Sequence, residues 1–116
     1  MKRGEVWKVN LDPTLGAEIK KSRPCVIVSN DNMGRLPLKI IVPLTDWRDS
    51  FSEAPWHIRV NPSSENGLTK TSSADTYQVR SIADQRLVKR LGSLAPPLME
   101  QIEGGLALSL NLTKQN

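Results

Sequence analysis

Asp12-Pro13-Thr14-Leu15-Gly16-Ala17-Glu18-Ile19-Lys20-Lys21-Ser22-Arg23-Pro24 separates two stretches that read as β-strands. Upstream, from Glu5 to Leu11, the apolar Trp7, Val9 and Leu11 alternate with Lys8 and Asn10, the two-residue period of a half-buried strand. Downstream, Cys25-Val26-Ile27-Val28 is an unbroken apolar run rich in β-branched residues, as expected of a strand covered on both faces. A hairpin reverses in roughly two to five residues, so this connection is longer than reversal requires. It also gathers Glu18, Lys20, Lys21 and Arg23 within six positions, and long charged loops carry function more often than short ones. Pro24 restricts Arg23 to extended backbone, which mounts the guanidinium on a stiff piece of chain at a strand start.

Working outward, Asn30 to Pro37 has turn chemistry in Asp31, Asn32 and Gly34. Lys39 to Leu44 predicts a third strand, in which Pro43 marks an edge or a bulge because it cannot donate to a ladder; Thr45 stands at its end. Asp46 to Pro55 is polar and irregular, suited either to covering one rim of a sheet or to staying mobile. Trp56, Ile58 and Val60 alternate with His57 and Arg59, giving a fourth strand with the histidine and arginine on its polar face. After a loop from Asn61 to Gly67, Ser72 to Ile82 reads as one fifth strand, Asp84 to Val88 as a helical turn and Val88 to Leu94 as a short sixth strand. Pro96 and Pro97 fit the first turn of a helix, and Leu98, Ile102 and Leu106 form one apolar stripe along it. Gly104 and Gly105 weaken that helix by roughly 1 kcal/mol each relative to Ala, so packing must hold it. Five or six short strands and a terminal helix make a small β-barrel-like α+β fold. A chain of 116 residues suits a single domain spanning 1–116.

The bulk properties narrow the function. The one cysteine, Cys25, cannot form an intrachain disulfide and reads as a buried thiol in a reducing compartment. No window offers the apolar core of a signal peptide or the roughly 20 residues of a membrane span, so a cytoplasmic protein with no membrane partner is expected. The net charge of +4 fits a nucleic-acid ligand, and it also fits solubility alone. With so few Phe, Trp and Tyr, extensive stacking on single-stranded bases is not expected. One histidine, one buried cysteine and no spaced carboxylate cluster supply no constellation for a metal ion, so no metal and no cofactor are expected. Nor does a serine or cysteine lie near a histidine in sequence to suggest a nucleophile and its base; the nucleophile is expected to come from the substrate.

Several stretches together resemble the MazF/PemK family of toxin endoribonucleases. They are Arg3-Gly4-Glu5-Val6-Trp7, Leu11-Asp12-Pro13-Thr14 with Gly16, Lys20-Lys21-Ser22-Arg23-Pro24, Val28-Ser29-Asn30, Val42-Pro43-Leu44-Thr45 and Gln78-Val79-Arg80-Ser81-Ile82, in the family's order from Arg3 to the final helix. The resemblance implies an SH3-like barrel that forms a two-fold homodimer, cuts single-stranded RNA at a short sequence and is silenced by an acidic antitoxin protein.

By the same resemblance, the family's phosphate-binding arginine falls on Arg23 and its phosphate-contacting threonine on Thr45. A guanidinium donates two parallel hydrogen bonds to a phosphoryl group, although outside this motif Arg23 would as readily pair with Glu18 on the surface. Glu18 matches an acidic position implicated in some members, where it accepts a proton; the alternative is that it only offsets the loop's positive charge. Lys20 and Lys21 steer RNA through phosphate contacts or serve solubility. Gln78 and Arg80 either line the RNA groove or hold the sheet and dimer together. One branch of the family places a histidine in the first loop and an Arg/Asp pair before the Gln-x-Arg motif, where this chain has Ala17 and Asp75-Thr76-Tyr77. That branch's acid–base scheme therefore does not transfer, and His57 matches no catalytic position of the family. The expected chemistry is metal-independent attack of the ribose 2′-hydroxyl on the adjacent phosphorus, with Arg23, Thr45 and Glu18 as catalytic residues. Two alternatives are a non-catalytic toxin of related fold that inhibits DNA gyrase and a barrel that binds RNA without cutting it.

Overall fold

In the computed structural model, which describes residues 1–112, seven strands precede one helix. The strands are β1 (Glu5–Asn10), β2 (Ser22–Ile27), β3 (Leu38–Asp46), β4 (His57–Val60), β5 (Ser72–Asp75), β6 (Arg80–Ala83) and β7 (Leu87–Ser93), followed by α1 (Pro96–Ser109). All pairings are antiparallel, in the order β4-β5-β3-β2-β1-β7, with β6 also paired to β3. This is the barrel-like α+β architecture that the strand count and terminal helix imply. No helix among the described residues is long and apolar enough to cross a membrane.

The central strands bury both faces, which is why their sequences are continuous apolar runs instead of alternations. On one side Val6, Val26, Val42 and Leu44 pack with Val60 and Ala74 and with Met99 and Ile102 of the helix. On the other side Val9, Leu11, Cys25, Ile27 and Ile41 pack with Ile82 and Leu87. Each fully buried side chain of this size contributes roughly 1.5–3 kcal/mol before chain entropy is counted.

Two expectations are corrected. The stretch from Ser72 to Ile82 is not one strand: β5 pairs with Leu44–Asp46 of β3, β6 pairs with Leu38–Ile41, and a 3-10 turn at Thr76–Gln78 carries the chain between the two ladders. Local hydrogen bonding drives the break, since Asp75 Oδ1 accepts the Tyr77 N–H at 3.2 Å and the Thr76 hydroxyl donates to the Trp56 carbonyl at 2.7 Å. Pro43 is not on an edge strand either. It faces Cys25 across the β2–β3 ladder and sits where the partner on β3's other side changes from β6 to β5, so its missing N–H breaks no bond there. Trp56 stands just before β4 and is exposed. The polar segment after β3 forms a 3-10 turn at Asp49–Glu53, from which Phe51 stacks on His57 at 3.8 Å; the His57 Nδ1 lies 2.7 Å from Ser73 Oγ. His57 is thus held by packing on the sheet.

Packing also separates the two helix glycines. A Cβ on Gly105 would lie 2.8 Å from Thr76 Cγ2 and 2.9 Å from its Oγ1, whereas one on Gly104 would meet nothing. Thr76 cannot easily yield, being fully buried and hydrogen bonded to Trp56 and, at 3.0 Å, to Ser109. Urea unfolding should therefore show Gly105→Ala destabilised by roughly 1–3 kcal/mol and Gly104→Ala stabilised by up to about 1 kcal/mol. Equal shifts of the same sign would refute the close packing of Gly105 on Thr76.

Burial pushes the Cys25 thiol up from its ordinary 9.0 to about 12, against the opposing pull of the Arg80 guanidinium and the Leu44 N–H. The unfolded thiol ionises first on the alkaline side, so the stabilisation is complete below pH 9.0 and is lost as pH rises from there towards about 12. Native protein at about pH 8.5 should resist iodoacetamide and react only when unfolded. Stability measured from pH 9 to 12 should fall more steeply for wild type than for Cys25→Ala. Rapid native labelling, or parallel pH curves, would contradict the burial.

Candidate functional site

The β2–β3 ladder pairs Cys25 with Pro43 and Val26 with Val42, and continuing this register by two residues sets Arg23 opposite Thr45. Both line one cleft of about 300 Å³, together with Pro24, Asp46 and Lys70. Arg23 is half-buried, and its Nε donates to the Lys20 carbonyl at 3.3 Å. No ion pair among the described residues includes Arg23, Lys20 or Lys21. The alternative partner, Glu18, is turned elsewhere: its Oε1 accepts the Leu15 N–H at 2.8 Å. The outer nitrogens of the Arg23 fork are therefore available to an anion in the cleft. Gly67 shapes the wall, since its φ is +68° and a Cβ there would approach the Leu91 carbonyl to 2.1 Å.

The loop from β1 to β2 is tied down along its length. At its base the Leu11 N–H donates to the Lys21 carbonyl at 3.0 Å, and the Lys21 N–H donates to Asp12 Oδ1 at 3.1 Å. Lys21 itself has φ +69°, a left-handed conformation that costs a non-glycine residue about 1 kcal/mol or more and is held here by those bonds. Three successive carbonyls at the end of β1 are taken by arginines. Arg86 Nη1 donates to Asn10 at 3.1 Å and also to Asp12, while Arg80 Nη1 donates to Leu11 at 3.3 Å. Further along, Gln78 Oε1 accepts the Ile19 N–H at 2.6 Å and its Nε2 donates to the Ala17 carbonyl at 3.1 Å.

The predicted residues thus divide between two concavities. Arg23 and Thr45 share the first; Glu18, Gln78 and Arg80 line a second, of about 470 Å³, with Leu11, Pro43 and Tyr77. Successive residues of β3 contribute to each, Pro43 to the second and Leu44 to the first. Lys20 and Lys21 are exposed on the connecting loop. Asp46, Lys70 and Arg86 were not anticipated. Asp46 follows Thr45 directly, but Lys70 and Arg86 are distant in sequence, and only the fold brings them to the cleft and the loop. Among the described residues no three His, Cys, Asp or Glu side chains are grouped so as to hold a metal ion.

The chain is similar to known proteins along almost its whole length. The family model described as PemK-like, MazF-like toxin of type II toxin-antitoxin system matches residues 2–110. The chain is 32% identical over 118 residues to Endoribonuclease MazF9 of Mycobacterium tuberculosis, covering 97% of this chain and 98% of that relative. It is 30% identical over 112 residues to Endoribonuclease MazF of Staphylococcus saprophyticus, covering 97% and 92%. Among solved structures, an endoribonuclease in complex with its cognate antitoxin from a mycobacterial species superposes with a TM-score of 0.77 at 23% identity over 99% of both chains. MazF from Deinococcus radiodurans superposes at 0.78 with 20% identity over 97% of both. At these identities the two superpositions speak for the fold.

Proposed function

Because the chain belongs to the family of PemK-like, MazF-like toxins of type II toxin–antitoxin systems, we propose that it is an endoribonuclease that cuts single-stranded RNA by internal transesterification. The observation that carries this reading is the Arg23 guanidinium, without an acidic partner among the described residues, in one cleft with Thr45. The ribose 2′-hydroxyl attacks the adjacent phosphorus and gives up its proton to a base, and the bond from phosphorus to the 5′-oxygen breaks. The products are a 2′,3′-cyclic phosphate and a 5′-hydroxyl, the leaving oxygen being protonated as it departs. Arg23 donates its fork to the non-bridging oxygens, where charge builds, and the Thr45 hydroxyl adds one donor. Each such preorganised donor is worth roughly 3 kcal/mol when removed.

Arginine holds its proton above about pH 12, so the base is another group. Glu18, which lines the second concavity, is the carboxylate assigned to this role. Lys20 and Lys21, exposed on the loop, and Lys70 in the cleft draw the phosphate chain in without reading sequence. The same cationic loop suits an acidic antitoxin segment that covers the cleft, and the active unit is a homodimer. The mechanism uses no metal.

Two experiments test this reading. Arg23→Ala and Arg23→Lys should both lose about a hundredfold or more in cleavage of a mixed-sequence RNA, since an ammonium cannot replace a planar fork on a phosphoryl group. Full activity of the lysine variant would remove that argument. Cleavage should persist in excess EDTA, and it should stop when the nucleotide 5′ to the scissile phosphate carries 2′-deoxyribose, although that oligonucleotide still binds. Reversible loss in EDTA, or scission of the deoxy-substituted bond, would overturn the mechanism; RNA that is bound but left intact would identify a non-cleaving barrel.

A further inference from the structure

Gln78 stands at the RNA-facing concavity, yet its carboxamide is already engaged at both ends. Its oxygen meets the Ile19 N–H at 2.6 Å and its nitrogen meets the Ala17 carbonyl at 3.1 Å. These two backbone groups flank Glu18. Residues 15–18 form a turn in which the Glu18 N–H donates to the Leu15 carbonyl at 3.1 Å, and the chain bends at Glu18, so the Ala17 carbonyl and the Ile19 N–H are both turned toward Gln78. No strand pairing reaches residues 17–19, and the carboxamide satisfies these two backbone groups instead. The donor and the acceptor fix its orientation, because a flipped amide would set N–H against N–H and oxygen against oxygen. The far side of Gln78 is equally constrained: it ends the 3-10 turn whose Thr76 is fully buried against Gly105 and hydrogen bonded to Trp56 and Ser109.

We propose that Gln78 is a positioning residue: its carboxamide clamps the backbone on either side of Glu18 and so fixes that carboxylate at the groove, acting on RNA cleavage through the loop and not by contact with RNA. The cleavage part of this inference rests on the endoribonuclease reading; the clamp itself does not. Glu18 is exposed, and its side chain is held by the loop's own Leu15 N–H. Its place over the groove therefore depends on where residues 15–19 lie. Without Gln78, the loop keeps its base at Leu11 and Lys21 but loses its hold at 17–19. A 1 Å displacement of a catalytic group is enough for losses of about a hundredfold.

The test compares wild type, Gln78→Ala and the isosteric Gln78→Glu, which keeps an acceptor for Ile19 but sets an anion against the Ala17 carbonyl. In RNA-free protein, amide exchange at Ile19 should accelerate about tenfold or more in Gln78→Ala and by less in Gln78→Glu, with exchange at Val26 in β2 unchanged. With RNA, kcat of both variants should fall about 10- to 100-fold, while Kd for the uncleavable 2′-deoxy oligonucleotide stays within about threefold. Unchanged exchange at Ile19 together with a Kd weakened in step with activity would overturn the inference and make Gln78 a direct RNA contact. Accelerated exchange with unaltered kcat would overturn its catalytic part. Failure of the wild type to cut RNA would overturn the endoribonuclease reading alone, and exchange at Ile19 would still decide the clamp.

Discussion

Pro43 is the point on which the arrangement depends. A strand that carries one neighbour along its whole length cannot easily contain a residue without an N–H, and β3 solves this by changing neighbours there. β6 runs beside its first half and β5 beside its second. The chain that connects β5 to β6 must therefore lift away from the sheet near Pro43, and it does so as the 3-10 turn of Thr76–Gln78. That detour puts Gln78 within reach of the first loop and opens the concavity above Pro43. The cleft that Arg23 shares with Thr45 begins just past the same switch, at Leu44 and Thr45.

The strands paired to each other through the middle of the sheet were legible because burial on both faces leaves an unmistakable apolar run, as in Cys25–Ile27 and Ile41–Leu44. Arg23 and Thr45 were legible for a different reason: they stand in motif positions, and the antiparallel register then makes them neighbours. What stayed hidden was mediated by side-chain bonds to backbone, which have no period. The break at Thr76 is set by Asp75 and by a hydroxyl reaching Trp56, and a stretch rich in Thr, Tyr and Val simply reads as strand. Gly105 looked like a weakness of the helix by propensity, whereas the structure gives it a steric reason in Thr76. Lys70 and Arg86 had no signal at all, because surface cations are ordinary and only tertiary proximity distinguishes these two.

Two of the arginines serve the loop more than they serve the core. Arg80 and Arg86 donate to carbonyls at the end of β1 that no strand satisfies, the bond to Leu11 half-buried and those to Asn10 and Asp12 exposed. Those two cations are thereby committed to architecture, whereas Arg23 and Lys70 line the cleft and Lys20 and Lys21 are exposed on the loop, none of the four in an ion pair among the described residues.

The division of β3 also makes the molecule modular. Arg23 and Thr45 are set by a ladder in the rigid interior, whereas residues 13–20 hang from side-chain clamps at either end. Substitutions at the largely exposed tip of that segment, residues 13–16, leave in place both the Arg23 and Thr45 pair and the clamped backbone on either side of Glu18. A lineage built on this plan is free to vary the rim of the loop while the clamped part of the site stays constant.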